Sequence, residues 1–497
     1  MAKISVIGSG FSGLAASTLL AKKGHEVILL EKKETIGGRA RVFEKDGFLF
    51  DMGPSWYWMP DIFENFFKQF GKSTSDFFEL KKLDPGFQLF FGGGEIIPIP
   101  AEKEKLHELF ELIEKGSSLK LEKFLKEGKF KYEIGMQNLA TKPAISWLEF
   151  ASFEVISGAL RSHVFKSMKS YVRQYFKDPR LIALMEFPVL FLGAKPDNIP
   201  ALYSLMNYSA LVQGTFYPMG GMYKIVEAMK NIAKKNGVSI KTGCNVEKIL
   251  IDNKKIFALK TNDSIIKSDA VIASGDYHHI EQNLLEPPYR NYKASYWDKK
   301  ILAPSSLIFY LGVSKKIKKL IHHNLFFDTD FEKHAKEIYD EPAWPKEPLF
   351  YVCCPSKTDP SVAPEGMENL FILIPIAPDL IDTEDTRENY FSLIMDRLEK
   401  ECEDKIREHI TFKKSYCITD FKADYNAYKG NAYGLANTLS QTAILKPSIK
   451  NKHVENLFYA GQLTVPGPGV PPALISGQIS AQLAIKYLKQ NQYETTI

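Results

Sequence analysis

The residues of this chain best suited to chemistry are three glycines and an acid near the N-terminus. In Ile4-Ser5-Val6-Ile7-Gly8-Ser9-Gly10-Phe11-Ser12-Gly13 an apolar run passes directly into a glycine-rich turn. A helical pattern follows from Leu14 to Lys23, then a second apolar run, Val27 to Leu30, closed by Glu31. Strand, helix and strand in that order make a βαβ unit, and each marked residue has a role around a dinucleotide. Gly8 permits the tight turn, Gly10 lets the backbone approach a pyrophosphate, and Gly13 lets helix and strand pack closely. The free N–H groups and dipole at the helix start favour phosphate charge. Glu31 is placed to accept hydrogen bonds from the adenosine ribose. A GxGxxG alone is only a glycine turn; the flanking strand, the helix and the acid eighteen residues beyond Gly13 make it a dinucleotide site.

The elements that must position this unit return along the chain. Glu34-Thr35-Ile36-Gly37-Gly38-Arg39-Ala40-Arg41 comes next, then Phe48-Leu49-Phe50-Asp51-Met52-Gly53-Pro54-Ser55. Two glycines and two arginines beside a pyrophosphate offer backbone N–H donors and guanidinium forks for its charge; without that neighbour they read as a solvated basic turn. Phe216 to Met222 is a loop entering a helix, Tyr223 to Asn236, and strands follow at Gly237–Lys241, Cys244–Ile249 and Asp269–Gly275. Near the C-terminus Val454 to Gly461 reads as a strand, and prolines stiffen the loop from Gln462 to Pro472. A small-residue helix then runs from Ala473 to Tyr487. Proline favours helix starts, and this helix N-terminus, just past Val470, would stabilise negative charge on a bound group.

With its GGRA continuation, Gly37 to Ala40, the chain resembles the flavin-binding amine oxidase and phytoene desaturase superfamily. NAD dehydrogenases lack that continuation. The resemblance covers essentially the whole chain and implies an α/β fold: a Rossmann-like FAD-binding domain assembled from discontinuous segments, with an inserted α+β substrate domain and a helical membrane-facing region. The FAD-binding segments would be 1–80, 211–295 and 436–497. A helical insertion, 81–210, and a mostly stranded one, 296–435, would form the substrate part. By position, Gly8, Gly10 and Gly13 match the phosphate turn and Glu31 the ribose acid. Gly38, Arg39 and Arg41 match the second pyrophosphate loop, and Gly53, Pro54 and Ser55 the segment passing the flavin. Pro218, Gly220 and Gly221 match the PxGG loop. Val246 resembles the residue whose backbone meets the adenine, or is plain core. Gly461 matches the C-terminal strand end, although many relatives place an acid after it where this chain has Gln462.

Bulk composition narrows the partners. The 497 residues suffice for two or three domains. A net charge of +5, from 64 basic and 59 acidic residues, is too small and dispersed for nucleic acid. The five cysteines, Cys244, Cys353, Cys354, Cys402 and Cys417, show no CxxC, zinc pattern or disulfide framework, as a reducing cytoplasm would have it. No signal peptide is expected, because the apolar N-terminus begins at once as the cofactor strand. No apolar run reaches the ~18 residues of a membrane span. The expected location is cytoplasmic, peripheral to the inner face of the membrane.

Gly37 to Pro60 and the run PGPGVPPALISG most closely resemble bacterial-type phytoene desaturases, with Pro472 where the usual PGxGxPG has its last glycine. That implies repeated desaturation of phytoene toward neurosporene or lycopene. The partners implied are a long apolar polyene, a membrane surface, and a quinone or oxygen as electron acceptor. An allylic C–H beside a polyene is not deprotonated by an ordinary side chain. Hydride transfer to oxidised flavin followed by loss of a proton from the neighbouring carbon avoids that, and the protein supplies orientation and a dry channel. No triad, paired carboxylates or metal box is then needed. The weak catalytic candidates are Glu149 and Arg161, each more readily read as a solvated or salt-bridged residue. Trp56, Tyr57, Trp58, Phe187, Phe191, Tyr203 and Tyr208 are candidates for a channel lining. The stretch from Trp147 to Tyr175 would dip into a bilayer or form an ordinary surface helix. Rival readings are another carotenoid-modifying desaturase, isomerase or ketolase, a flavin amine or protoporphyrinogen oxidase, and a prenyl-binding escort of the same fold. With no cysteine after Cys417, a covalent flavin link in the C-terminal loop is excluded.

Overall fold

The apolar strand that opens the chain, Lys3–Ile7, lies at the centre of a parallel sheet, between Glu26–Leu30 and Ala270–Ala273. The computed structural model describes residues 1–150, 161 and 163–494, apart from the side chains of 137, 138, 191, 192 and 492–494. The sheet runs Leu457–Tyr459, Ala270–Ala273, Lys3–Ile7, Glu26–Leu30, Ser239–Lys241, so strands from three distant stretches of chain share one register. Parallel strands need both faces covered. The helix Phe11–Lys22 packs against both Tyr223–Lys235 and the last helix, Val470–Glu494.

Two helix starts differ from the sequence expectation, each for a local reason. The first helix begins at Phe11 rather than Leu14, so Gly13 lies inside it. The last begins at Val470 rather than Ala473. Pro471 and Pro472 fit its first turn, where an N–H has no helical acceptor to lose.

A seven-stranded sheet carries the other half of the molecule, in the order Ile410–Tyr416, Ser305–Val313, Glu368–Ile376, Phe350–Cys353, His323–Phe326, Phe87–Gly92, Glu95–Ile99. A hairpin turning at Gly92-Gly93-Gly94 forms its edge, as Phe87–Gly92 with Glu95–Ile99. All its pairings are antiparallel except His323–Phe326 with Phe87–Gly92. Helices Lys103–Ile113, Ser117–Ile134 and Pro179–Glu186 lie in the stretch expected to be helical. No helix among the described residues is long and apolar enough to cross a membrane.

The aromatic triplet Trp56-Tyr57-Trp58 straddles two cores. Tyr57 is fully buried with Phe63, Phe66 and Phe67 under the parallel sheet. Trp58 packs into the core shared by the seven-stranded sheet and the helical insertion. Alternation along an extended segment sends neighbouring side chains to opposite faces, so Tyr57 is a core residue and not a channel residue.

Candidate functional site

A cavity of about 410 Å³ lies where the C-terminal ends of the parallel strands meet the seven-stranded sheet. Strand ends supply Gly8 to Ser12, Glu31 to Lys33, Ser274 to Asp276, and Gly461 with Gln462; the other sheet supplies Ser306, Ile308, Tyr351 and Leu373. Ligands of open α/β sheets bind outside these carboxyl ends.

The three N-terminal glycines act in three different ways. Gly8 sits at φ +95°, a left-handed turn that a side chain would strain. A Cβ at Gly10 would meet nothing within 4 Å, so it would project into the open cavity. A Cβ at Gly13 would stand 1.9 Å from the Gly8 carbonyl oxygen. Gly10 thus leaves room for a ligand, and Gly13 leaves room for the protein. Glu31 is held in place at the strand end: its Oε2 accepts from the Ser9 amide at 3.0 Å and the Ser9 hydroxyl at 2.6 Å, and its Oε1 from the Lys33 amide at 3.0 Å.

Of the residues singled out in the sequence, Gly8, Gly10, Glu31, Gly38, Arg39, Arg41, Gly53, Pro54, Ser55, Val246, Gly461 and Val470 line this cavity. Gly13, Gly220 and Gly221 do not. Gly221 packs on Asp51, where a Cβ would lie 2.9 Å from Oδ2, and the Gly220 amide donates to Asp359 Oδ2 at 2.6 Å. Glu149 and Arg161 also lie outside the lining. The Glu149 carboxylate accepts from the amides of Ala144, Ile145 and Ser146 at 2.9, 2.9 and 3.0 Å, clamping its own loop. Arg161 is exposed, its guanidinium 3.9 Å over the Phe130 ring and 3.7 Å from Glu127. Neither is placed to act on a ligand in the cavity.

The two arginines at the charged end of the cavity are held differently. Arg41 is ion-paired with Asp424 and hydrogen-bonded to the Tyr425 hydroxyl at 3.2 Å. Burial opposes its charge, but Tyr425 and Asp424 outweigh burial and push its pKa up. Arg39 forms no ion pair among the described residues; its Nη2 donates to the Asn431 carbonyl at 3.3 Å and it lies 5.0 Å over the Tyr425 ring. Burial pushes its pKa down, and the charge of nearby Asp276 offsets this only in part. The Nε atoms of both arginines are buried with no partner, as are Lys446 Nζ and Asn437 Oδ1 beside the Gly467 loop. Buried polar atoms left bare are costly, and a diphosphate in the cavity would satisfy the two arginine donors.

Sequence reasoning missed several lining residues. Asp276, directly after the strand Ala270–Ala273 and its Ser274-Gly275 turn, caps a short helix by accepting from the His279 amide at 3.0 Å. Burial pushes its pKa up to about 6, against the amides of His279 and Tyr428 and the charge of Arg39. An acid after a glycine-ended strand was a visible signal. Asp424 and Tyr425, by contrast, come from the helix Ile418–Tyr425, with no spacing that ties them to Arg41.

At the other end the lining turns apolar, with Trp56, Trp58, Met59, Met206, Ile308 and Leu373. Trp56 and Trp58 are tilted 5.0 Å apart, and Phe187 packs behind both at 6.2 and 6.3 Å. Tyr203 and Tyr208 are not in the lining; Tyr208 packs on Tyr132 at 5.5 Å. The Phe191 side chain and residues 151–160 and 162 of the Trp147–Tyr175 stretch lie outside the described residues.

A glycine-framed phosphate end joined to an apolar, tryptophan-lined end defines a flavin oxidoreductase site. Residues 11–485 match the family described as flavin containing amine oxidoreductase, and the chain belongs to that family, with FAD as cofactor. It is 38% identical over 484 residues to the carotenoid 3,4-desaturase of Haloarcula japonica, covering 97% of this chain and 98% of the relative. It is 30% identical to the zeta-carotene-forming phytoene desaturase of Myxococcus xanthus, covering 96% and 92%. These relatives place it in the carotenoid desaturase branch, as a desaturating flavoenzyme. An oxidoreductase from Methanosarcina mazei shares the fold at a TM-score of 0.63 and 18% identity, covering 96% of this chain and 99% of that one.

Proposed function

We propose that this enzyme desaturates the C3–C4 bond of a carotenoid, with the dinucleotide held by the Gly8–Gly13 turn, Glu31, Gly38, Arg39 and Arg41. The observation that carries the reading is the continuity of one cavity from the phosphate turn to Trp56 and Trp58. The choice of bond follows the higher identity to the 3,4-desaturase, 38% against 30%. Phytoene desaturation toward neurosporene or lycopene is the second reading, supported by the Myxococcus relative.

Bound FAD supplies hydride acceptance from an allylic C–H. The chain's own residues do the rest. Trp56, Trp58 and Met59 hold the polyene by apolar contact and keep water out. The last helix starts at the cavity with Val470, so the positive end of its dipole favours negative charge there. A quinone or oxygen takes the electrons onward. The protein meets its substrate at a membrane surface, which the exposed Trp147, Leu148 and Phe165, 68%, 83% and 78% accessible, support.

Co-expression in a colourless bacterium making either phytoene or lycopene tests the reading. A red shift of the lycopene spectrum with phytoene unchanged is the expected result. Colour arising from phytoene selects the second reading. Unchanged pigments in both strains, with FAD-loaded protein confirmed, overturn both.

A further inference from the structure

Behind the cavity wall converge three donors that are not part of its lining. His323 opens the strand His323–Phe326 and pairs directly with Cys353 in the antiparallel register, with His322 just before it. Residues opposed in this way share a face. All three are buried, with His322 3%, His323 0% and Cys353 2% exposed. One ring nitrogen of each imidazole and the Cys353 Sγ lie within 4.8 Å of one another.

Each imidazole is oriented through one nitrogen and bare at the other. His323 Nδ1 shares a 2.6 Å hydrogen bond with the Tyr351 hydroxyl, and His322 Nδ1 a 2.7 Å one with Thr358 Oγ1. Tyr351 donates its own proton to Ser55 Oγ at 3.1 Å, so His323 Nδ1 must be the donor and its Nε2 a lone pair. Both Nε2 atoms are buried without a partner. So is the hydroxyl of Tyr217, whose ring centroid lies 4.6 Å from that of His322. An imidazole fixed through one N–H with its second nitrogen free is how metal-ligating histidines are held.

We propose that His322, His323 and Cys353 bind one thiophilic d¹⁰ cation, Zn²⁺ or Cu⁺, with the Tyr217 hydroxyl or a water in the remaining position. A thiolate with two imidazoles suits these ions, whereas Mg²⁺ and Ca²⁺ demand oxygen donors. Bond lengths of about 2.0–2.1 Å to nitrogen and 2.3 Å to sulfur place the donors roughly 3.4–3.8 Å apart, so the side chains close by about 1 Å. Binding breaks the Cys353 S–H bond and forms an S–metal bond; the proton leaves to solvent and no electron moves. The ion fixes the wall of the site, because Trp56, which lines the cavity, stacks on His323 at 4.0 Å and 10°, and Tyr351 lines it as well.

The test is the metal content of FAD-loaded enzyme, purified without chelator from cells grown in zinc-, copper- or cobalt-supplemented medium, measured by plasma mass spectrometry against flavin absorbance. The expected result is one equivalent of zinc or copper per flavin, kept in Cys402→Ser and lost in Cys353→Ser and His322→Gln. Cobalt-grown enzyme should show a thiolate-to-cobalt charge-transfer band. Trace metal only in wild-type enzyme from every medium overturns the proposal, and that measurement decides the matter even where Cys353→Ser fails to fold. Stoichiometric metal that survives Cys353→Ser overturns it too.

Discussion

Gly477, in the last helix, stands so close to Ser12, in the first, that a Cβ at position 477 would lie 2.1 Å from the Ser12 carbonyl oxygen. The two ends of the chain are thereby joined under the phosphate turn. The Gly461 amide donates to Ser476 Oγ at 3.0 Å one residue away, tying the same helix to the end of the last parallel strand. A side chain at 477 must push the helices apart. Gly477→Ala should destabilise the fold by about 1–3 kcal/mol, seen as a lower melting temperature with or without FAD. Gly10→Ala should do the reverse: its Cβ has free space in the protein, so the apoprotein should melt as wild type while flavin absorbance is lost. Equal melting losses in the two variants would sink this division of labour.

Arg39 differs from Arg41 in forming no ion pair among the described residues, and that difference predicts unequal effects on the cofactor. Losing a hydrogen bond to a charged group costs about 1.5–3 kcal/mol. Arg39→Ala should therefore raise the FAD dissociation constant about ten- to hundred-fold, measured by titrating apoprotein. Arg39→Lys should restore only part, because an ammonium lacks the planar fork. An unchanged dissociation constant in Arg39→Ala would remove Arg39 from the phosphate site.

The glycine-turn half of this cavity was legible because local sequence enforces it. Gly8, Gly10 and Gly13 each answer a backbone requirement within one βαβ unit, and such requirements follow from spacing alone. The apolar half was legible only as composition: Trp56, Tyr57 and Trp58 looked equivalent, and burial alternation sent Tyr57 to a different core. The Asp424–Arg41 pair joins residues 383 apart in sequence, and no periodicity announces it. The strand His323–Phe326 was missed for a related reason. Four residues opening on His and Asn carry no alternation, and its place is set by partners at Gln88 and Cys353.

Glu149 offers a sharp negative expectation. Its carboxylate is committed to three backbone amides of its own loop and does not line the cavity. Glu149→Ala should loosen that loop yet leave product formation per bound flavin within about two-fold of wild type, an effect below 0.5 kcal/mol. Arg161→Ala should do the same. A loss of several orders of magnitude in turnover with FAD retained would return either residue to the chemistry.

Lys131 gives a pH signature that can be read without substrate. Its ammonium lies in the helix Ser117–Ile134, fully buried, donating to the Ala201 carbonyl at 3.1 Å and Ser204 Oγ at 2.9 Å, 3.7 Å over the Tyr171 ring. Burial pushes its pKa down to about 7 from an ordinary 10.5, with only partial relief from Glu127. Between those values the unfolded chain holds a proton that the folded chain has released. Stability attributable to this residue therefore rises with pH through that window, by at most about 1.4 kcal/mol per unit. Below about pH 7 both states are protonated and the dependence vanishes. Lys131→Met, which keeps the length and drops the charge, should lose the slope: its advantage over wild type should be greatest near pH ~7 and shrink toward pH ~9 in urea unfolding. A wild-type-minus-variant difference that stays flat across that range would mean that the buried amine keeps its proton.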